Sequence, residues 1–178
     1  ASLGRTPSRE ALWATPGTVY MYYSRGGDSL NVSCRGDGDA VLFKAGAAWT
    51  DSFSPRESLE CMRRLNPVRG SGRMRPTHRL CSGQTLLCAA LALRVPDWNG
   101  RPFDPQTFFI EDVGFEPEQL VQAPRLGIPQ GRDESLPWRF IDRSRLHQAT
   151  SNPLTRRGAV QGSDYHLIRL AQPPQQGG

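Results

Sequence analysis

The sequence predicts an α+β fold: a single domain with a twisted antiparallel sheet, about two helices and many loops. Three observations carry that expectation. β-branched and aromatic runs alternate with Gly/Asp turns through the first 44 residues, the pattern of an antiparallel meander. Two later stretches place apolar residues at helical spacing. The 18 glycines and 15 prolines in 178 residues impose frequent turns and short elements. An apolar fraction of 37% is lean, but the chain is long enough to bury a core.

Residues 1–16 are polar and end at Pro16, which reads as a flexible N-terminal arm with a short helix around Glu10–Trp13; the domain proper is expected over 17–171. Thr18 to Ser24 reads as a strand, Gly26-Gly27-Asp28 as a turn and Ser29 to Cys34 as a second strand. Arg35 to Asp39 is another turn, and Ala40 to Lys44 a third strand. Ser54-Pro55-Arg56-Glu57 has the form of a helix start, with serine as cap and proline at the first helical position. Leu59, Met62 and Leu65 follow at helical spacing until Asn66-Pro67. Residues 66–77 form a Gly/Arg/Pro loop. Ser82 to Arg94 is the most apolar stretch and reads as a buried helix, with a strand as rival for its second half; Pro96 to Pro105 is loop. Phe108 to Val113 suggests a strand and Pro117 to Gln122 a short helix. Residues 123–137 are turn-rich, and Trp138 to Ile141 and Tyr165 to Leu170 suggest strands. The tail, 172–178, holds only proline, glutamine and glycine and is expected to be disordered.

The net charge is +5, and it is written almost entirely in arginine: Lys44 is the only lysine. A biased genome would produce this. So would a protein that meets a lysine-directed tagging system in foreign cytosol, since lysine and not arginine is the acceptor. Guanidinium also grips phosphate, and the densest run is Arg63, Arg64, Arg69, Arg73, Arg75 and Arg79. With no basic helix and no aromatic–basic interleaving, a solvated basic face is the expectation, and nucleic acid is not expected as a partner. No run reaches the roughly 20 apolar residues of a membrane span. Cys34, Cys61, Cys81 and Cys88 match no zinc spacing, so no metal is expected; in a secreted chain at least one disulfide would be.

Thr18-Val19-Tyr20-Met21-Tyr22-Tyr23-Ser24-Arg25 resembles the opening strand of the pertussis-like ADP-ribosylating toxins, Thr-Val-Tyr-Arg-Tyr-Asp-Ser-Arg. Met21 stands where that family has its dinucleotide-binding arginine, which leaves Arg25 to hold the cofactor. The resemblance implies NAD as cofactor. It also implies a carboxylate on a Glu-x-Glu turn that binds the ribose and stabilises the oxocarbenium-like centre; Glu116-Pro117-Glu118 has that spacing, with Glu118 acting and Glu116 assisting. The expected protein is a toxin or effector, secreted or delivered into a host cell, that modifies a host protein with or without a delivery subunit.

Two alternatives stand beside it. The stretch around Cys34 is similar to toxin glutamine deamidases, and Cys34 or Cys81 with His166 would make a cysteine-dependent hydrolase or deamidase. Cys81 opens the apolar helix, where the helix terminus would lower a thiol's pKa. The other is a non-enzymatic binding or adhesion module that uses the exposed triplet Arg35-Gly36-Asp37. A kinase-like pairing of Lys44 with Glu60 is set aside, because the aspartates a kinase needs are not in order.

Overall fold

The computed structural model describes residues 4–150, 154 and 158–170. The chain is α+β, as its patterning predicts, and its strands form two antiparallel three-stranded sheets. It divides into two compact units, residues 1–111 and 112–178. The expected tail over 172–178 lies outside the described residues.

The first unit opens with a 3₁₀ helix, Pro7–Trp13, whose Ala11 and Leu12 are buried. Strands β1 (Val19–Ser24), β2 (Gly27–Ser33) and β3 (Ala40–Leu42) then form a meander in the order β1-β2-β3. Helix α1 (Ser58–Leu65), helix α2 (Gln84–Ala90) and the single turn α3 (Val95–Trp98) complete it. In the register, Val19 faces Val32 and Met21 faces Leu30. These residues line one side of the sheet, and Val19, Met21 and Leu30 pack there with Cys88, Leu93 and Phe43. Burying each large side chain contributes about 1.5–3 kcal/mol. A second cluster, Leu80, Cys81, Leu87 and Ala90, gathers Leu59 and Met62 of α1 and shares Phe43 with the first. The outer edge of β1 is covered rather than open. Val19 N donates to Arg101 O at 2.8 Å, Gly100 N to Val19 O at 2.8 Å and Met21 N to Asn99 Oδ1 at 2.9 Å.

The second unit holds β4 (Gln119–Ala123) between β5 (Arg139–Asp142) and β6 (His166–Arg169). Val121 is fully buried at its centre.

Several element readings change. Pro117 to Gln122 is not a helix: the segment from Gln119 pairs on both sides, so Val121 faces Ile141 on one strand and Leu167 on the other. Tertiary pairing overrides the local preference. Phe108 to Val113 forms no strand; only Phe108 makes an isolated bridge, to Asp104. Ser54 does not cap α1. Its amide and hydroxyl both bond Asp51 Oδ1, at 2.9 and 3.0 Å, and the helix begins at Ser58. The apolar helix ends at Ala90, and Ala92 takes a left-handed φ of 53°.

The first turn of α2 sits directly on the start of β2. A Cβ added at Gly27 would lie 2.7 Å from Thr85 Cβ. Gly27→Ala is therefore expected to destabilise the protein by about 1–3 kcal/mol, as overpacking does, read as a lowered urea midpoint. An unchanged midpoint would mean that α2 does not press on the hairpin.

Candidate nucleic-acid interface

β1 and β2 meet in a two-residue turn, Arg25-Gly26, closed by the pairing of Ser24 with Gly27. Both turn residues have positive φ, 54° and 78°, the type I′ geometry whose twist matches the flanking strands. The turn thus lies one residue earlier than the Gly26-Gly27-Asp28 pattern suggests. Glycine accepts this conformation freely; Arg25 holds it at a cost of about 1–2 kcal/mol. A strained, exposed arginine at a hairpin tip is the kind of feature that marks function.

The arginine-rich segment reaches that tip. Arg69 Nη2 donates to Gly26 O at 2.6 Å. The segment is fixed at its base by further arginines. Arg75 donates to the carbonyls of Asn66 (3.3 Å) and Pro67 (3.2 Å), and Arg63 donates to Thr77 Oγ1 at 2.6 Å. Asn66 is buried and donates to Leu80 O at 2.8 Å and Leu86 O at 3.0 Å. Arg64, Arg73 and Arg79 are left exposed on the same segment. Among the described residues, neither these three nor Arg25 and Arg69 enter an ion pair, so their charge is available to an anionic partner.

The sheet face opposite the core bears a different set. Alternation along the strands puts Tyr20 and Tyr22 there, across from Asn31 and Ser29. The two tyrosine rings lie 5.7 Å apart, tilted by 42°. Asn31 Nδ2 donates to Tyr20 O at 3.2 Å. Burial raises the Tyr22 hydroxyl pKa, helped by Tyr20; Arg25 and the neighbouring Ser29 hydroxyl work against it. Lys44 Nζ donates to Gln84 Oε1 at 2.6 Å, and Gln84 Nε2 to Ser29 Oγ at 2.8 Å.

The residues singled out from the sequence fall as follows. Arg25 is at the tip of the hairpin. Glu116 and Glu118 are exposed in the second unit, just ahead of β4. Cys34 follows β2, half-buried, with its Sγ 3.6 Å from Val32 O. Cys81 is buried, and His166 is exposed at the start of β6 in the other unit. Burial pushes the Cys81 thiol up, against the lowering expected of a helix start. Cys88 is pushed up to about 11, by burial first and then by Asp28. All four cysteines are free thiols, so the expected disulfide is absent. Arg35-Gly36-Asp37 does form a tight turn between β2 and β3, where a Cβ on Gly36 would meet Asp39 Oδ2 at 2.5 Å. The sequence reading misses Tyr20, Tyr22, Asn31 and Gln84; the alternation that puts both tyrosines on one face is legible in it.

A family model for methylpurine-DNA glycosylases matches residues 1–145. A protein of Pseudomonas aeruginosa (strain UCBPP-PA14) is 54% identical over 173 residues, covering 97% of this chain and 72% of its own length. One from Pseudomonas syringae pv. syringae is 55% identical over 168 residues, 94% of this chain and 74% of its own. One from Rhodopseudomonas palustris is 36% identical over 140 residues, 77% of this chain and 60% of its own. All three are provisionally named 3-methyladenine DNA glycosylases.

These matches overturn the toxin resemblance, which rests on eight residues of β1 and its flanks. The toxin, deamidase and adhesion readings fall with it, as do the host-protein partner and the secreted or host-delivered location, because the relatives are bacterial proteins named for an activity on DNA. The expectation of NAD has no other support than that resemblance. The reading against nucleic acid is corrected too. The sequence does not show that Arg25 and the Arg63–Arg79 run, distant along the chain, are brought together by the bond of Arg69 with Gly26.

The strain at the tip is measurable. Arg25→Gly should leave the unfolding midpoint unchanged or raise it, whereas the β-branched Arg25→Val should lower stability by about 1–2 kcal/mol. A loss with glycine equal to that with valine would mean that the side chain, and not the backbone conformation, governs the turn.

Proposed function

We propose that this chain, which belongs to the methylpurine-DNA glycosylase family, hydrolyses the N-glycosidic bond of alkylated purines in DNA, 3-methyladenine among them. The observation that carries the reading is the cationic hairpin tip braced by the arginine segment, with two tyrosines on the adjoining sheet face.

The chemistry asks for these parts. A base inside a duplex must leave the stack before its glycosidic bond can be reached. Phosphate contacts position the protein on the strand, and Arg64, Arg69, Arg73 and Arg79 supply guanidinium for them. The tip at Arg25 is the projecting element suited to enter the stack where a base has left it. A purine alkylated at N3 or N7 carries positive charge, and the Tyr20–Tyr22 pair offers it π-faces. As the C1′–N bond breaks, the electron pair goes to the base and cancels its charge. Water oxygen bonds to C1′ and releases a proton. The alkylated base is thus the better leaving group, and recognition of its charge selects it.

Release of free base from DNA methylated with dimethyl sulfate tests the activity. The protein should liberate 3-methyladenine, and absence of any released base would overturn the reading. Tyr22→Ala should slow release by about 5- to 150-fold, the range expected for one lost base stack of about 1–3 kcal/mol.

Binding to non-specific duplex should weaken with salt. Removing Arg64, Arg73 and Arg79 together should flatten the log–log slope by up to about 0.9 for each phosphate no longer neutralised. A slope unchanged by the triple substitution would move the DNA path elsewhere on the surface.

A further inference from the structure

The one lysine of the sequence emerges on the tyrosine face. β2 and β3 pair as far as Asn31 with Leu42, and Phe43 N donates to Leu30 O at 3.0 Å, so the antiparallel pairing runs on past the end of β3. Carried one residue further, the same register sets Lys44 beside Ser29. Ser29 is the partner of Tyr22 across β1 and β2. Tyr22, Ser29 and Lys44 therefore stand in one row across the sheet. Alternation turns their side chains to one face, away from the core side of Met21 and Leu30. The hydrogen bonds agree with this placement. Lys44 Nζ donates to Gln84 Oε1 at 2.6 Å, and Nε2 of the same amide donates to Ser29 Oγ at 2.8 Å. Lys44 is half-buried and Gln84 is buried, so the amine is held in place by a fixed partner. Because its NH₂ is committed to Ser29, Gln84 meets the amine with its carbonyl alone. A carbonyl accepts an N–H from an ammonium and from a neutral amine alike, and it makes no claim on the lone pair of the neutral form.

Release of a base leaves a deoxyribose whose ring opens to an aldehyde at C1′. A primary amine condenses with an aldehyde, whereas a guanidinium stays protonated and does not. We propose that Lys44 is a nucleophile toward that aldehyde, which adds an abasic-site lyase activity to base release. The proposal rests on the glycosylase reading for its substrate and goes beyond it in the reaction. The Lys44 nitrogen bonds to C1′, the C1′ oxygen leaves as water, and solvent protonates the resulting imine. The cationic imine then draws electrons from the sugar. C2′ loses a proton to water, a C2′–C3′ double bond forms, and the C3′–O bond breaks with its electron pair passing to the departing phosphate. Water adds to C1′ and frees the amine. No oxidant or reductant is consumed.

A duplex carrying one preformed aldehydic abasic site tests this step without calling on base release. With sodium borohydride present, which reduces the imine to a stable amine, the protein should become covalently joined to the DNA. Proteolysis and mass spectrometry should place the adduct on Lys44. Without borohydride the strand should be cut on the 3′ side of the abasic site. Lys44→Arg keeps the charge and removes the amine, and it should abolish both adduct and cleavage. The sequence has no other lysine, so an adduct that Lys44→Arg forms as readily as wild type overturns the proposal. Should Lys44→Arg unfold, as read by thermal denaturation, the position of the wild-type adduct decides: on Lys44 it supports the proposal, and elsewhere it overturns it. A wild type that releases 3-methyladenine from methylated DNA but forms no adduct overturns the lyase step alone. One that is trapped on Lys44 but releases no base overturns the glycosylase reading and leaves the amine chemistry standing; failure in both assays overturns both.

Discussion

The seating of α2 against the β1–β2 hairpin is the constraint on which the first unit depends. It needs glycine at position 27, since a side chain there would meet Thr85. With the helix so placed, Cys88 packs with Met21 and Leu30 on the core side, and Gln84 reaches Ser29. The same helix fixes the arginine segment. Asn66, at the end of α1, bonds the carbonyls of Leu80 and Leu86, on the approach to α2 and within it. Arg75 then holds the carbonyls of Asn66 and Pro67, and Arg69 extends to Gly26. One close helix–strand approach therefore organises both the buried bond of Gln84 with Ser29 and the basic surface.

That arrangement lets a narrow hairpin hold a strained turn. An isolated two-stranded hairpin is marginal in water. Here β3 pairs with one edge of the hairpin, residues 99–101 bond the other, and apolar packing covers one face. The framework can absorb the left-handed conformation of Arg25 because neighbouring elements overdetermine it. Strain, exposure and positive charge coincide at Arg25, the combination that the proposed entry into the DNA stack calls for.

The local elements of the first unit are largely legible in the sequence, and its assembly is not. Alternation in Thr18–Ser24 and the Gly/Asp turns point to the meander, because a half-buried sheet imposes a period of two. β4 is not legible: Gln119 to Ala123 follows a Pro/Glu segment that favours a helix start, and only its two partner strands make it extended. The same limit hides the site. Tyr20 and Tyr22 belong to a strand that the alternation identifies, but a linear comparison aligns them with a toxin-like motif and does not show two rings on one face. The Arg63–Arg79 run is conspicuous, yet nothing local ties it to the tip of a hairpin roughly forty residues earlier; the hydrogen bond between Arg69 and Gly26 makes that tie. Arg25 stands out in both sequence and structure, although the resemblance that singled it out in the sequence is overturned.

The nearly complete use of arginine also gains a physical division of labour. A guanidinium is a planar fork that binds phosphate with two parallel bonds and braces backbone carbonyls without losing its charge. Both uses occur along one segment, with Arg63, Arg69 and Arg75 bonding the fold and Arg64, Arg73 and Arg79 facing solvent. The single lysine has a different task. Lys44 is half-buried, and its compact ammonium donates to Gln84 Oε1 at 2.6 Å. An arginine there would bring a larger, planar fork with five donors to satisfy where the ammonium has three. The exception to the arginine rule thus stands where a compact point charge meets the Gln84 carbonyl, at the head of the hydrogen bonds that run through Gln84 to Ser29.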